Sequence, residues 1–203
     1  MSHSTTRRGA VRSIAASLAA SLLVFGLAEP RRAGADVDLD ATALVVEVEG
    51  DLDHAFDTVK NVLLDLEAFA RWFPAIDDWR VLSTTTDSAL VYGRQNVPWP
   101  ARDRDYVVEY RWGTPSDGSF FLEAVSRVGA EPAPPPGVDR VEDMTTRWTA
   151  LRRGQGTHVR YAVRGTPRIP LPRRAVELFW AAHGNRVIHA LSAEIVAVRS
   201  ERD

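Results

Sequence analysis

Pro98-Trp99-Pro100-Ala101-Arg102-Asp103-Arg104-Asp105-Tyr106-Val107 is the stretch on which the reading of this chain turns. Its two prolines fix φ and remove two backbone donors, so residues 98–100 cannot continue a sheet ladder. Four alternating charges follow. From Tyr106 to Trp112 the pattern has the period of a half-buried strand, with Tyr106, Val108, Tyr110 and Trp112 on one face and Val107, Glu109 and Arg111 on the other. The stretch is therefore a stiff loop, a charged turn and the start of an aromatic strand.

Working outward, Leu44 to Val48 alternates apolar and acidic residues and predicts a strand. Asp51 or Asp53 is placed to cap a helix, and Leu52, Phe56, Val59, Leu63, Leu66 and Phe73 recur at helical spacing. That segment has room for two short helices with a bend near Leu66, ended by Pro74. Six strand-like runs follow, over residues 79–85, 89–97, 104–112, 119–128, 140–151 and 157–165, separated by turn residues such as Pro115-Ser116-Asp117-Gly118. Short links between them favour an antiparallel meander. A long helix from Pro172 closes the chain, with Val176, Trp180, His183, Val187, Leu191 and Val198 in one stripe. The class is α+β, because a sheet with its long helical mass on one face is not doubly wound.

The opening stretch resembles the P-(F/W)-P…(D/N)-R-D-(Y/F)-V signature of START lipid-transfer domains, within the SRPBCC or helix-grip superfamily. Gly165-Thr166-Pro167-Arg168-Ile169-Pro170 resembles the approach to the last helix in those domains. The resemblance covers nearly all of residues 40–200. It implies a seven-stranded antiparallel curved sheet around a long C-terminal helix, with two short helices after the first strand and an internal apolar cavity. It implies a binding module for a lipid, sterol-like or other hydrophobic small molecule, serving transfer or sequestration, without cofactor or metal.

Face by face, the cavity candidates are Tyr106, Val108, Tyr110, Trp112, Phe120, Leu122, Met144, Trp148 and Tyr161 from the strands, and Trp180 and His183 from the helix. Each of these also fits plain core packing. Pro98, Trp99 and Pro100, and Pro134 and Pro135 in the Ala130–Val138 loop, are candidates for gating a cavity mouth. For the second loop a stiff hairpin connection fits equally well. Arg94, Arg102, Asp103 and Arg147 are candidates for anchoring a ligand's polar head. For the charged stretch 102–105 the sequence favours mutual pairing that fixes the turn, since buried charges need partners.

Arg7, Arg8 and Arg12 precede an apolar run from Ile14 to Leu27 and the A-x-A site Ala33-Gly34-Ala35, which predicts an export signal over residues 1–35 and a domain over 36–203. Thr6 to Arg12 resembles a degenerate twin-arginine signal. The expected location is periplasmic or secreted. The 36–203 segment holds 20 basic and 26 acidic residues, a net charge of −6. Such a domain is poorly suited to nucleic acid and gains little from anionic membranes. The expected state is a monomer with at most transient membrane contact.

With no cysteine, disulfides and thiolate chemistry are excluded. His183 and His189 are six apart, not at metal-ligand spacing on a helix, and no P-loop or G-x-S-x-G elbow occurs. Two alternatives stay open within the resemblance. One is a polyketide cyclase or aromatase-like enzyme, with His183 and Tyr106, Tyr110 and Tyr161 as acid–base groups; the other is a quinone-binding or protein-partner module.

Overall fold

A computed structural model describes residues 34–39, 44–97, 102–166 and 173–201. The expected leader lies almost wholly outside them, as do Pro98, Trp99 and Pro100. The strands are β1 (Gly34–Leu39), β2 (Leu44–Leu52), β3 (Ile76–Thr84), β4 (Ser88–Gln95), β5 (Arg104–Gly113), β6 (Phe120–Ser126), β7 (Asp139–Arg140), β8 (Thr145–Arg153) and β9 (Gly156–Gly165). The helices are α1 (Phe56–Leu64), α2 (Phe69–Trp72) and α3 (Arg173–Ser200).

The meander expected from the short links is present. Eight strands pair antiparallel in the order β1-β2-β9-β8-β6-β5-β4-β3, and β7 adds two residues parallel to β5. This is the α+β helix-grip arrangement, one open sheet with the long C-terminal helix packed against it. The sheet exceeds the seven strands expected, for two reasons. Gly34–Leu39, which straddles the expected end of the leader at Ala35 and was assigned no strand from sequence, pairs with β2 along its whole length. The run over 140–151 divides, because Glu142 and Asp143 interrupt its alternation and leave β7 separate from β8. Cleavage after Ala35 would leave four residues of β1 in the sheet.

The helical pair breaks over residues 65–68, as the bend near Leu66 predicts. The capping expectation is corrected. Neither Asp51 nor Asp53 caps α1, which begins after Ala55 without a side-chain cap. Asp51 instead lies in β2 and accepts hydrogen bonds from Arg153, with His158 Nδ1 2.8 Å from its carboxylate. Pairing of β2 with β9 through Leu52 holds Asp51 in the strand, and Asp53 falls in the link between β2 and α1.

The core lies between the sheet and the helices. Phe56, Val59, Val62 and Leu63 of α1 are buried, as are Phe69 and Trp72 of α2 and Val187, Leu191 and Ile195 of α3. Each such apolar side chain contributes about 1.5–3 kcal/mol when fully removed from water. Gly184 lets α3 approach β2, because a Cβ there would overlap the Val48 Cγ2 methyl. Gly93 plays the same part in the sheet, where the ring of its cross-strand partner Tyr106 occupies the space a side chain would fill.

Candidate functional site

Strand alternation sends Tyr106, Val108 and Tyr110 of β5 inward, and all three are buried. They meet aromatics from the helical pair and from α3. Phe69 stacks on Phe73 at 4.9 Å and on Trp79 at 5.0 Å. Trp148 and Tyr161 lie 4.6 Å apart, Phe73 meets His183 edge-on at 6.0 Å, and His183 meets Trp180 at 5.5 Å. Aromatic side chains therefore fill most of the space between sheet and helices, and the free volume that remains is small.

One cavity of about 70 Å³ lies where β4 ends, β5 and β8 begin, β9 ends and α3 enters. Leu44, Tyr106, Val141, Met144, Val163 and Trp180 form its apolar wall, with His183 beside them. Gln95, Asn96, Arg104 and Thr166 also line it. A second void of about 30 Å³ runs deeper, against Phe69, Phe73, Tyr110, Trp148 and Tyr161. Gln95, Tyr106 and Met144 border both, so these side chains stand between the two spaces.

Of the cavity candidates named from sequence, Tyr106, Met144, Trp180 and His183 line the larger cavity, and Tyr110, Trp148 and Tyr161 join Tyr106 and Met144 around the smaller. Phe120, Leu122 and Val108 are buried in the core, and Trp112 packs against it; none of the four lines either space. Their strands continue past the cavity toward the other end of the sheet, where Lys60 of α1 lies over the Phe120 ring of β6. Gln95, Asn96, Arg104 and Thr166 were not singled out from sequence. For Arg104 a signal was present: it is two residues before Tyr106 in the same strand and shares its face.

The four polar-anchor candidates do not reach the cavity, and the structure gives each a different partner. Arg94 donates to Asp103 at 3.0 Å and lies 3.4 Å from Asp77. Asp103 also accepts the Val97 amide at 3.2 Å. Arg102 is exposed beside Asp139, and Arg147 donates to Glu123 at 2.9 Å while covering the Phe121 ring. Their positions follow from alternation, since each strand residue among them neighbours an inward one. Pro134 is exposed and Pro135 half-buried, and neither lines the cavity.

The charged half of the opening stretch has a structural role on the opposite face of β5. Asp105 is fully buried and accepts from Arg140 Nε at 2.8 Å and Nη2 at 2.9 Å. The same guanidinium donates to the carbonyls of Ala130 and Pro132 at 3.0 and 2.6 Å. One fully engaged pair thus fastens the proline-rich loop to the sheet, the condition under which a buried ion pair is tolerated.

Burial sets the protonation of the inner titratable groups. It pushes the Tyr106, Tyr110 and Tyr161 hydroxyls well above their ordinary range. His183, only 7% exposed, is lowered to about 4 by burial and by the neighbouring Arg186 charge. The imidazole is neutral at pH 7.

No family model matches the chain. Over 119 residues it is 26% identical to an uncharacterized protein of Pseudomonas aeruginosa, a match that spans 57% of this chain and 57% of that relative's length. Among solved structures it is similar to a STAR-related lipid transfer protein of Xanthomonas axonopodis, with a TM-score of 0.67 and 22% identity over 80% of this chain and 98% of that one. Human StAR-related lipid transfer protein 5 gives a TM-score of 0.65 at 14% identity, covering 91% and 94%. An aromatase/cyclase of Streptomyces gives 0.54 at 15% identity, covering 79% and 95%. The chain thus has a START-like helix-grip fold.

Proposed function

We propose that the protein binds a hydrophobic small molecule between the sheet and α3. The observation that carries this reading is an apolar cavity at one end of the fold, continued inward by a second void behind Tyr106 and Met144. Burial of apolar ligand surface would drive binding at about 25 cal/mol per Å², before the costs of association. Together the two spaces amount to about 100 Å³, below the roughly 150 Å³ of a cavity that holds benzene. A lipid- or sterol-like ligand therefore enters by displacing side chains, with Tyr106 and Met144 the first to move. Neighbours of the same fold named for lipid transfer support this reading.

An enzyme of the aromatase/cyclase kind is the weaker reading. General acid–base catalysis works best with pKa values near the operating pH. Here the imidazole and the tyrosine hydroxyls are displaced in opposite directions away from neutrality. An export signal over residues 1–35 would place binding in the periplasm or outside the cell, as sequestration or transfer by a monomer. N-terminal sequencing of protein recovered from the periplasm tests that placement.

The binding reading is tested by native mass spectrometry of the purified protein, together with displacement of a fluorescent apolar probe by fatty acids, sterols, quinones and phospholipids. Co-purified apolar ligand, or displacement by at least one class, is the expected result. Absence of bound ligand together with failure to bind the probe or any of the four classes overturns the reading.

A further inference from the structure

Three tyrosines meet at the inner void. Tyr106 and Tyr110 of β5 and Tyr161 of β9 all border it, with Gln95 of β4 and Thr146 of β8 beside them. Sheet order puts β6 and β8 between β5 and β9, a separation of about 14 Å at ordinary strand spacing. Curvature of the sheet and the reach of the phenol rings therefore bring side chains from both sides to one space of about 30 Å³. The three phenols are close enough to act on one another. Tyr110 is pushed up by burial and then by Tyr106 and Tyr161, and Tyr161 by burial and then by Tyr106.

Tyr106 and Tyr110 are 5% exposed and Tyr161 4%. A phenol buried so deeply ordinarily finds a hydrogen-bond partner, yet among the described residues none bonds to any of these three hydroxyls. Other polar groups nearby are paired: Trp79 Nε1 donates to the Leu66 carbonyl at 2.6 Å, and the Thr157 hydroxyl to the His54 carbonyl at 2.7 Å. Phenylalanine rings would fill the same space, so packing does not account for the hydroxyls. Each phenol can both donate and accept, and the void has room for an oxygen and the carbon that carries it. No charged side chain is among the described residues bordering it, so an ion there would be costly. Resting on the apolar-binding reading above, we propose that the preferred ligand is an apolar molecule with a neutral hydroxyl or carbonyl oxygen at the end that enters first. Tyr106, Tyr110 and Tyr161 hold that oxygen, and the apolar remainder fills the outer cavity.

Calorimetry on the full chain with 2-naphthol, 2-naphthaldehyde, 2-naphthoate and 2-methylnaphthalene tests this, because the four share a ring system and differ in the group it carries. The naphthol and the aldehyde are each expected to bind about fivefold tighter than the methyl compound or more, the range of one or two neutral hydrogen bonds. An advantage confined to one of them assigns the oxygen as hydroxyl or as carbonyl. In the double variant Tyr110→Phe, Tyr161→Phe, which keeps both rings, the ratio falls to about twofold or less. Its stability in urea is expected to match or exceed that of the unsubstituted protein, since no internal hydrogen bond is lost. A clear loss of stability assigns the hydroxyls to the fold and overturns the proposal. Equal affinity for naphthol, aldehyde and methyl compound, tighter binding of naphthoate than of naphthol, or a ratio that survives the double variant also overturns it and leaves apolar binding standing. So does binding of the fluorescent apolar probe without any of the four. Failure of the probe and of all four overturns apolar binding itself.

Discussion

Acidification from pH 7 to pH 5 should weaken this fold, and His183 is the reason. In the unfolded chain its imidazole titrates near the ordinary value of 6.5; in the folded chain burial and Arg186 hold it at about 4. Between these values the unfolded state binds the proton and the folded state does not, so stability is complete above the unfolded value and falls as pH drops. From pH 7 to pH 5 the linkage relation gives a loss of about 2 kcal/mol, large against a typical net stability of about 5–15 kcal/mol. Urea unfolding followed by tryptophan fluorescence at pH 7, 6 and 5 measures it. Carboxylates held low by partners, such as Asp51 and Asp103, lose their contribution only as pH falls through and below 3.8, outside this window. His54 is also lowered by burial and leaves a smaller residual slope. In His183→Leu, which keeps an apolar side chain, most of the pH 5–7 dependence should vanish. An equal slope in His183→Leu and the unsubstituted protein refutes the reasoning.

Further substitutions probe other parts of the structure. Asp105→Ala strands the Arg140 charge beneath the proline-rich loop and should cost about 3–5 kcal/mol in urea unfolding; Asp105→Leu combined with Arg140→Leu should recover much of it. Gly184→Ala forces a methyl against Val48 and should cost about 1–3 kcal/mol; adding Val48→Ala should give a clearly non-additive cycle. Met144→Ala removes a side chain between the two voids, and should tighten binding of bulkier apolar probes while lowering stability by about 2 kcal/mol. Arg147→Ala breaks a solvent-exposed pair, so stability should change by under about 1 kcal/mol and ligand affinity should not change.

Periodicity made the sheet legible. The alternation of β5, the break between α1 and α2 and the order of the meander all follow from patterns of two and of 3.6 residues. One strand with such a pattern was missed: Ala35, Val37 and Leu39 alternate with Asp36 and Asp38, but the segment straddles the end of a leader-like run, and its pairing with β2 is a tertiary event. The site was legible by face but not by depth. Tyr106 and Phe120 carry the same sequence signal, yet only Tyr106 lies at the end of the sheet where space remains. Arg94 and Arg147 looked like anchors because each sits in a strand, but the face they share with neighbouring acids decides their fate. Arg104 was passed over because it belongs to a run of alternating charges, although its spacing from Tyr106 marked it as inward.

The Asp105–Arg140 pair has a consequence for how β5 is read by the rest of the molecule. Slipping this strand by one residue would turn the Asp105 carboxylate into the cavity and carry Arg104 to the outside. The cavity wall would then carry a carboxylate in place of a guanidinium with no change in composition. That slip is blocked at the opposite face, where Asp105 must meet a guanidinium already tied to two loop carbonyls. The pair thus works as a frame marker, fixing from outside the sheet which side chains of β5 the interior receives. It also leaves the lining free to vary, since Tyr106, Met144 and Trp180 can be exchanged for other ligands without touching the contact that keeps the strand in phase.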